Sequence, residues 1–230
     1  MHHHEYFNSP LIMKEKNIAY ERVIFFSDAV VAIAITLLAL ELRVELPPGE
    51  HLTFSALIKP WHNYAAFLLS FVTIAGLWRT HHNFFVHIER IDERMLYINI
   101  LWLFFLVVLP FSTTLVSQYF GDTPAIFIYS LNIFLLSLSQ NFIWDYANGK
   151  EEFMTYDEMQ LDVRKRISWM MNAYVINAFL AMIFSFYMPK TAFLLLYFRV
   201  PIFIFGLFYL AQKRRIELST NGRKPSRKQD

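Results

Sequence analysis

The 230-residue sequence contains no cysteine. Disulfide frameworks, thiolate metal sites and cysteine nucleophiles are therefore excluded, although this says little about compartment. Charge is also scarce: Asp, Glu, Lys and Arg make up 17% of the residues, against roughly 25% in ordinary soluble domains. The net charge of +2 is too small to argue for a nucleic-acid partner. The opening MHHHEYFNSP lacks the basic start, apolar middle and small-residue cleavage site of a signal peptide. His2, His3 and His4 carry no assignable role. What is abundant is apolar surface. Hydrophobic residues are 56% of the chain, aromatics 18%, and phenylalanine alone occurs 24 times. A soluble domain could not bury this much, so lipid is the expected solvent.

A membrane span needs about 20 mostly apolar residues. Six stretches qualify, roughly Val23–Leu42, Trp61–Leu77 (continuing as helix toward Phe85), Met95–Ser117, Ala125–Asp145, Ile167–Met188 and Thr191–Gln212. The expected fold is all-α, with these six helices and both termini on one side. Pro47–Glu50, Gly121–Pro124 and Met188–Lys190 read as turns between them. The charged stretch from Asn148 to Arg166 reads as a short amphipathic linker helix. No strict internal repeat supports an inverted-repeat transporter architecture.

Basic residues orient the chain. Of the 21, this threading leaves only Arg43, Lys59, Lys190 and Arg199 on the side away from the termini. The positive-inside rule then places both termini in the cytoplasm. The organisation expected is 1–21 as a cytoplasmic segment, 22–212 as the six-helix membrane domain, and 213–230 as a basic cytoplasmic tail. Trp61, Trp78, Tyr97, Trp102, Trp144 and Trp169 fall near span ends, as an aromatic belt would.

At 100° per residue, Ile33, Thr36, Leu37 and Leu40 form one stripe on the first span, extending back through Val30, Ala29, Phe26 and Arg22. Any buried membrane helix shows aliphatic residues at this spacing, so spacing alone does not make the stripe a pore lining. Asp28 lies about 140° away from Ile33 by the same geometry. A carboxylate inside a membrane costs about 2.5–3.5 kcal/mol at the midplane and normally has a partner or a task. Arg79, His81 and His82 lie at the same depth. A polar clamp between helices is the simpler reading, and a proton relay the alternative. His81, His82 and His87 do not have the spacing of a helical zinc site. Asn99, Asn132, Asn172 and Asn177 are expected to hydrogen-bond between helices. Phe198-Arg199 with Pro201 suggests a local break, or an arginine snorkelling to the outer surface.

On these residues a passive channel and a proton-coupled secondary transporter using Asp28 and His81 stand about equal. An intramembrane enzyme fits less well, because Ser27 and Asp28 diverge by about 100° on a helix and cannot form part of one triad.

Arg22-x-x-x-Phe26-Ser27-Asp28, followed by Ala32-Ile33-Ala34-Ile35-Thr36-Leu37-Leu38, resembles the first helix of the prokaryotic transmembrane-protein-175 family, relatives of the lysosomal potassium channel. Trp78-Arg79-Thr80-His81-His82, Ile91-Asp92, Asn99 and Leu109-Pro110-Phe111 resemble that family's next two helices. The resemblance is close over about Arg22–Leu115, and beyond it only as further spans. It implies a non-enzymatic potassium channel of a prokaryotic cell membrane, a homotetramer with the first helices around the pore. Its partners would be K+ and other monovalent cations, membrane lipid and copies of itself, with no cofactor. By position, Ile33, Leu37 and Leu40 would form a hydrophobic constriction and Thr36 a selectivity layer. Arg22, Phe26, Ser27, Asp28, Trp78 and His81 would form a polar network fixing the helix. The chain has only six glycines and no Thr-Val-Gly-Tyr-Gly loop, so it carries no carbonyl-loop filter of that kind. Gating by dewetting of an apolar collar, with modest selectivity, is what remains.

Overall fold

The computed structural model describes residues 10–44, 46–88, 90–150, 153–154, 158–199 and 201. Residues 1–9 and 213–230 lie outside the described residues, as does the expected sixth span beyond residue 201. The helices are α1 (Pro10–Leu37), α2 (Phe54–Ile58), α3 (Trp61–His87), α4 (Glu93–Gln118), α5 (Thr123–Asn148), α6 (Glu158–Phe184) and α7 (Pro189–Leu196). A 3-10 turn, Leu38–Glu41, tightens the end of α1.

The helix ends follow local chemistry. Asp92 has extended backbone and caps α4 by accepting from the Met95 N–H at 2.9 Å. Pro124 and Pro189 sit in the first turns of α5 and α7, where a missing N–H costs nothing. Gly121 turns the chain between α4 and α5 at φ +97°, and a Cβ there would also meet the Lys190 side chain at 2.8 Å.

Four helical stretches among the described residues are long and apolar enough to cross a membrane: Tyr20–Leu40, Glu93–Gln118, Thr123–Asn148 and Val163–Phe184. These account for four of the six expected spans; α3 is long enough for another but carries His62, Asn63, Arg79, His81 and His82, which lower its mean hydropathy, and most of the sixth lies outside the described residues. The expected linker helix is corrected. Charge, rather than a change of period, had set Asn148–Arg166 apart, yet α6 runs unbroken from Glu158 through Arg166 into the apolar span.

Helices α4, α5 and α6 pack in sequence, α1 lies on α4 and α3, and α7 closes on α6 and α5. Lipid tails are as apolar as leucine, so close packing and interhelical hydrogen bonds must hold such a bundle. Ser70 Oγ meets Thr113 Oγ1 at 2.7 Å and Tyr129 Oη at 2.9 Å, joining α3, α4 and α5 in a fully buried knot. Asn132 bonds Ser112 at 3.1 Å, Asn172 accepts from Asn141 at 2.9 Å, and Asn177 donates to the Leu195 carbonyl at 3.0 Å. Trp102 and Trp144 do not join an interfacial belt: both are fully buried. Trp61, Trp78, Tyr97 and Trp169 are exposed.

At one end of the bundle Asp92 also accepts from Tyr146 Oη at 2.5 Å and from Lys150 Nζ at 2.9 Å. Partial burial works to raise its pKa, but the bonds from Tyr146, the Met95 N–H and Lys150 outweigh it, and the carboxyl titrates at about 2 instead of 3.8. Its folded-state value is depressed, so its contribution to stability is complete above about pH 4 and is lost as pH falls toward 2. Asp92→Ala is expected to lower stability by about 1 kcal/mol through the lost cap, read as a fall in the thermal midpoint at neutral pH. The variant and parent should draw together as pH falls from about 4 and converge below about pH 2, where the parent carboxyl gains its proton.

Candidate functional site

The first helix has two unlike sides. Ser27, Val31, Ala34 and Leu38 are buried against the rest of the bundle. The opposite side is bare: Phe26, Ala29, Ala32, Thr36 and Leu37 are exposed, with Ile33 61% and Leu40 62% accessible. Thr36 folds its hydroxyl back onto the Ile33 carbonyl at 2.8 Å, one turn earlier. Val30 is half-buried, while Arg22 is exposed at the start of the same stripe.

Ser27 and Asp28 are neighbours in sequence, but the 100° step sends them to different partners. Ser27 donates to the Val23 carbonyl at 2.8 Å and accepts from Asn99 Nδ2 at 2.9 Å. Asn99 Oδ1 lies 2.8 Å from His81 Nε2. With the Asn99 amide donating to Ser27, its carbonyl is left to accept, which places the His81 proton on Nε2. The result is a one-way chain, His81 to Asn99 to Ser27 to the Val23 carbonyl, joining α3, α4 and α1. Ser27, Asn99 and His81 are all buried. His81 is held flat against Trp102, with ring centroids 4.4 Å apart and planes 9° apart.

Asp28 stands outside this chain. It accepts from Trp78 Nε1 at 2.9 Å on the exposed side of α3. The expected partners Arg79, His81 and His82 are replaced by their neighbour Trp78, whose ring stacks on His82 with centroids 5.7 Å apart. Depth in the membrane could be read from the sequence, but the azimuth that decides between adjacent residues of α3 could not. Of the expected network, Ser27, Asp28, Trp78 and His81 make these bonds. Phe26 and Arg22 are exposed and make no polar contact to the other four among the described residues.

Arg199 does not snorkel. The helix breaks at Tyr197 and Phe198, and the guanidinium turns inward to 6% exposure. It donates to Ser137 Oγ on α5 and, at 3.1 Å, to the Tyr174 carbonyl on α6, over whose ring it also lies at 5.2 Å.

Residues 22–110 match a family model described as the endosomal/lysosomal potassium channel TMEM175. This segment is similar to the TMEM175 family. It runs from the start of the bare stripe to Pro110 in α4, so the Ser27–Asn99–His81 chain, the Asp28–Trp78 pair and Ile33 all lie within the TMEM175 match. A potassium channel of Streptomyces collinus is 34% identical over 127 residues, which is 54% of this chain and 62% of the relative. A potassium channel of Chamaesiphon minutus is 37% identical over 134 residues, 55% of this chain and 64% of the relative. The matched stretch thus spans less than two thirds of either. The endosomal/lysosomal proton channel TMEM175 of Gallus gallus is 36% identical over 139 residues, 55% of this chain and 28% of that one. In structure the chain is similar to the lysosomal potassium-selective channel TMEM175 homologue from Chamaesiphon minutus, with a TM-score of 0.68 at 26% identity over 82% of this chain and 97% of that one. A crystal structure of a variant of the potassium channel MtTMEM175 shares the fold, with a TM-score of 0.59 at 20% identity over 83% of this chain and 93% of that one.

Proposed function

We propose that the protein is a passive, modestly potassium-selective cation channel of a prokaryotic cell membrane. Four copies would assemble with their α1 helices around a central pore. Ile33, Leu37 and Leu40 would form a dewetted collar, and Thr36 a hydroxyl layer beside it. K+ is the permeating ion in this reading, and no cofactor is needed.

The observation that carries the reading is the bare face of α1. Helix α6 also has an uncovered side, but it offers Trp169, Ile176, Phe179, Leu180, Ile183 and Phe184, large groups suited to lipid. The α1 face instead mixes Ala29, Ala32 and Thr36 with its aliphatic residues. Small residues let helices approach closely in a membrane, and a hydroxyl facing a pore would meet water. Both bonded groups, Ser27–Asn99–His81 and Asp28–Trp78, sit off this face and would hold it in place.

Purified protein in liposomes tests the proposal under a potassium gradient and then a sodium gradient. Passive potassium flux exceeding sodium flux is expected. Flux that appears only with an added proton gradient would overturn the channel and favour a coupled transporter. Asp28→Asn sharpens the distinction. The asparagine carbonyl can still accept from Trp78, so passive flux should stay within about twofold and stability within about 1 kcal/mol, whereas proton-coupled transport through Asp28 would cease. The relay is also disfavoured by connectivity: Asp28 is not bonded to His81, and the His81 chain ends on the Val23 carbonyl, which takes up no proton.

A further inference from the structure

Helices α5 and α6 are joined near one membrane boundary by three polar rungs. Arg164 donates from Nε to Asn148 Oδ1 at 2.7 Å and from a terminal nitrogen to the Asn148 carbonyl at 3.2 Å. Trp144 Nε1 donates to Ser168 Oγ at 2.7 Å. Asn141 donates to Asn172 Oδ1 at 2.9 Å. Arg164, Ser168 and Asn172 recur every fourth residue, so they form one stripe of α6. Beside it lies a cleft of about 430 Å³ lined by Asn148, Arg164, Lys165, Ser168, Trp169 and Asn172.

The rungs consume the side-chain acceptors of this cleft and leave its donors. The oxygens of Asn148 and Asn172 are engaged, and Ser168 Oγ already accepts from Trp144. What remains is the Lys165 ammonium, the outstanding N–H groups of Arg164, the Ser168 hydroxyl proton, the Asn172 amide and the Trp169 indole. None of the six lining residues is a carboxylate. Two cations among neutral donors select an oxyanion, and phosphate above others, because a guanidinium and an ammonium match its charge and its several acceptor oxygens.

The depth narrows the source. The apolar part of α6 begins at Val163, so the cleft occupies the first turns of a membrane span. Trp169, 73% exposed, stands at its edge in the position of an interfacial anchor. We propose that this cleft binds the phosphate of an anionic phospholipid, with Arg164 and Lys165 on the phosphate and Trp169 against the glycerol and upper acyl chain. A zwitterionic headgroup would find no carboxylate in the lining to pair with its ammonium. This proposal needs only that α6 lies in a membrane, and is independent of any pore.

The test uses the full chain in detergent, titrated with phosphatidylglycerol, phosphatidylcholine or inorganic phosphate, with thermal midpoint and retained lipid by native mass spectrometry as readouts. Phosphatidylglycerol should raise the midpoint and be retained, and phosphatidylcholine should do neither at the same concentration. Lys165→Glu should weaken the phosphatidylglycerol response about tenfold, as expected for one lost charge-assisted contact. Its midpoint without lipid should be unchanged, because Lys165 is exposed. Should that variant fold poorly, Lys165→Gln takes its place, and Lys190→Glu, at the far end of the bundle, should leave the response intact. Equal responses to the two lipids, or a full response in the Lys165 variants, would overturn the site. The same midpoint rise with inorganic phosphate alone would overturn the lipid assignment and make the cleft a site for free phosphate.

Discussion

Potassium flux through liposomes carrying Ile33→Asn is expected to exceed that of the parent by on the order of tenfold, which corresponds to about 1.4 kcal/mol off the barrier. An isoleucine collar gates by holding no water, and an ion entering it must shed hydration without replacement. An asparagine ring restores hydrogen-bonding partners at the narrowest level. The change should be almost silent in the fold of a single subunit, because Ile33 is on the uncovered side of α1. That separates a gating effect from a folding effect. The control is Ile176→Asn on the bare face of α6, which should leave flux unchanged. Equal flux in parent and Ile33→Asn would remove Ile33 from the constriction, and a similar rise in Ile176→Asn would point to general leakiness.

The second large effect is expected at Asn99, and it falls on stability. Asn99 is the middle member of the buried chain, so Asn99→Leu removes the bonds to both Ser27 and His81. Ser27 keeps its bond to the Val23 carbonyl, but the His81 Nε2–H is left buried without an acceptor. An orphaned buried donor costs about 1–3 kcal/mol, and interhelical bonds in membranes average about 0.6 kcal/mol each. A total near 2–4 kcal/mol follows, a fall of roughly 5–15 °C in the thermal midpoint for a chain of this size. Ser27→Ala spares the His81–Asn99 bond and should cost about 1 kcal/mol. If Asn99→Leu cost no more than Asp28→Asn, the buried chain would hold α1 no better than the exposed Asp28–Trp78 pair.

These two positions show what sequence can and cannot disclose in a membrane bundle. The helices were visible because lipid imposes a length and a composition on each span, and the turns because Gly121, Pro124 and Pro189 have few other uses. The division of α1 into two sides was also visible, since helical period separates Ile33 and Leu40 from Ser27 and Ala34, but period alone does not say which side is uncovered. Azimuth on the other helices was not visible. Trp78, Arg79, His81 and His82 share a depth, and only the rotation of α3 against α1 gives Asp28 to Trp78. The same limit explains Trp102 and Trp144, which stand at belt depths but turn inward to stack on His81 and to bond Ser168. The break before Pro201 could be read locally, but the acceptors of Arg199 lie 62 and 25 residues back along the chain. Contacts of that separation leave no periodic trace.

Those separations bear on how the chain is made. A segment carrying an unaccompanied guanidinium enters lipid at a cost of about 2.5–3.5 kcal/mol. Arg199 avoids standing alone because Ser137 and the Tyr174 carbonyl belong to α5 and α6, both synthesised before it. The hairpin that receives the arginine thus leaves the ribosome ahead of the segment that needs receiving. The order of the helices in the gene doubles as an order of assembly, with the segment carrying Arg199 docking onto a seat already built.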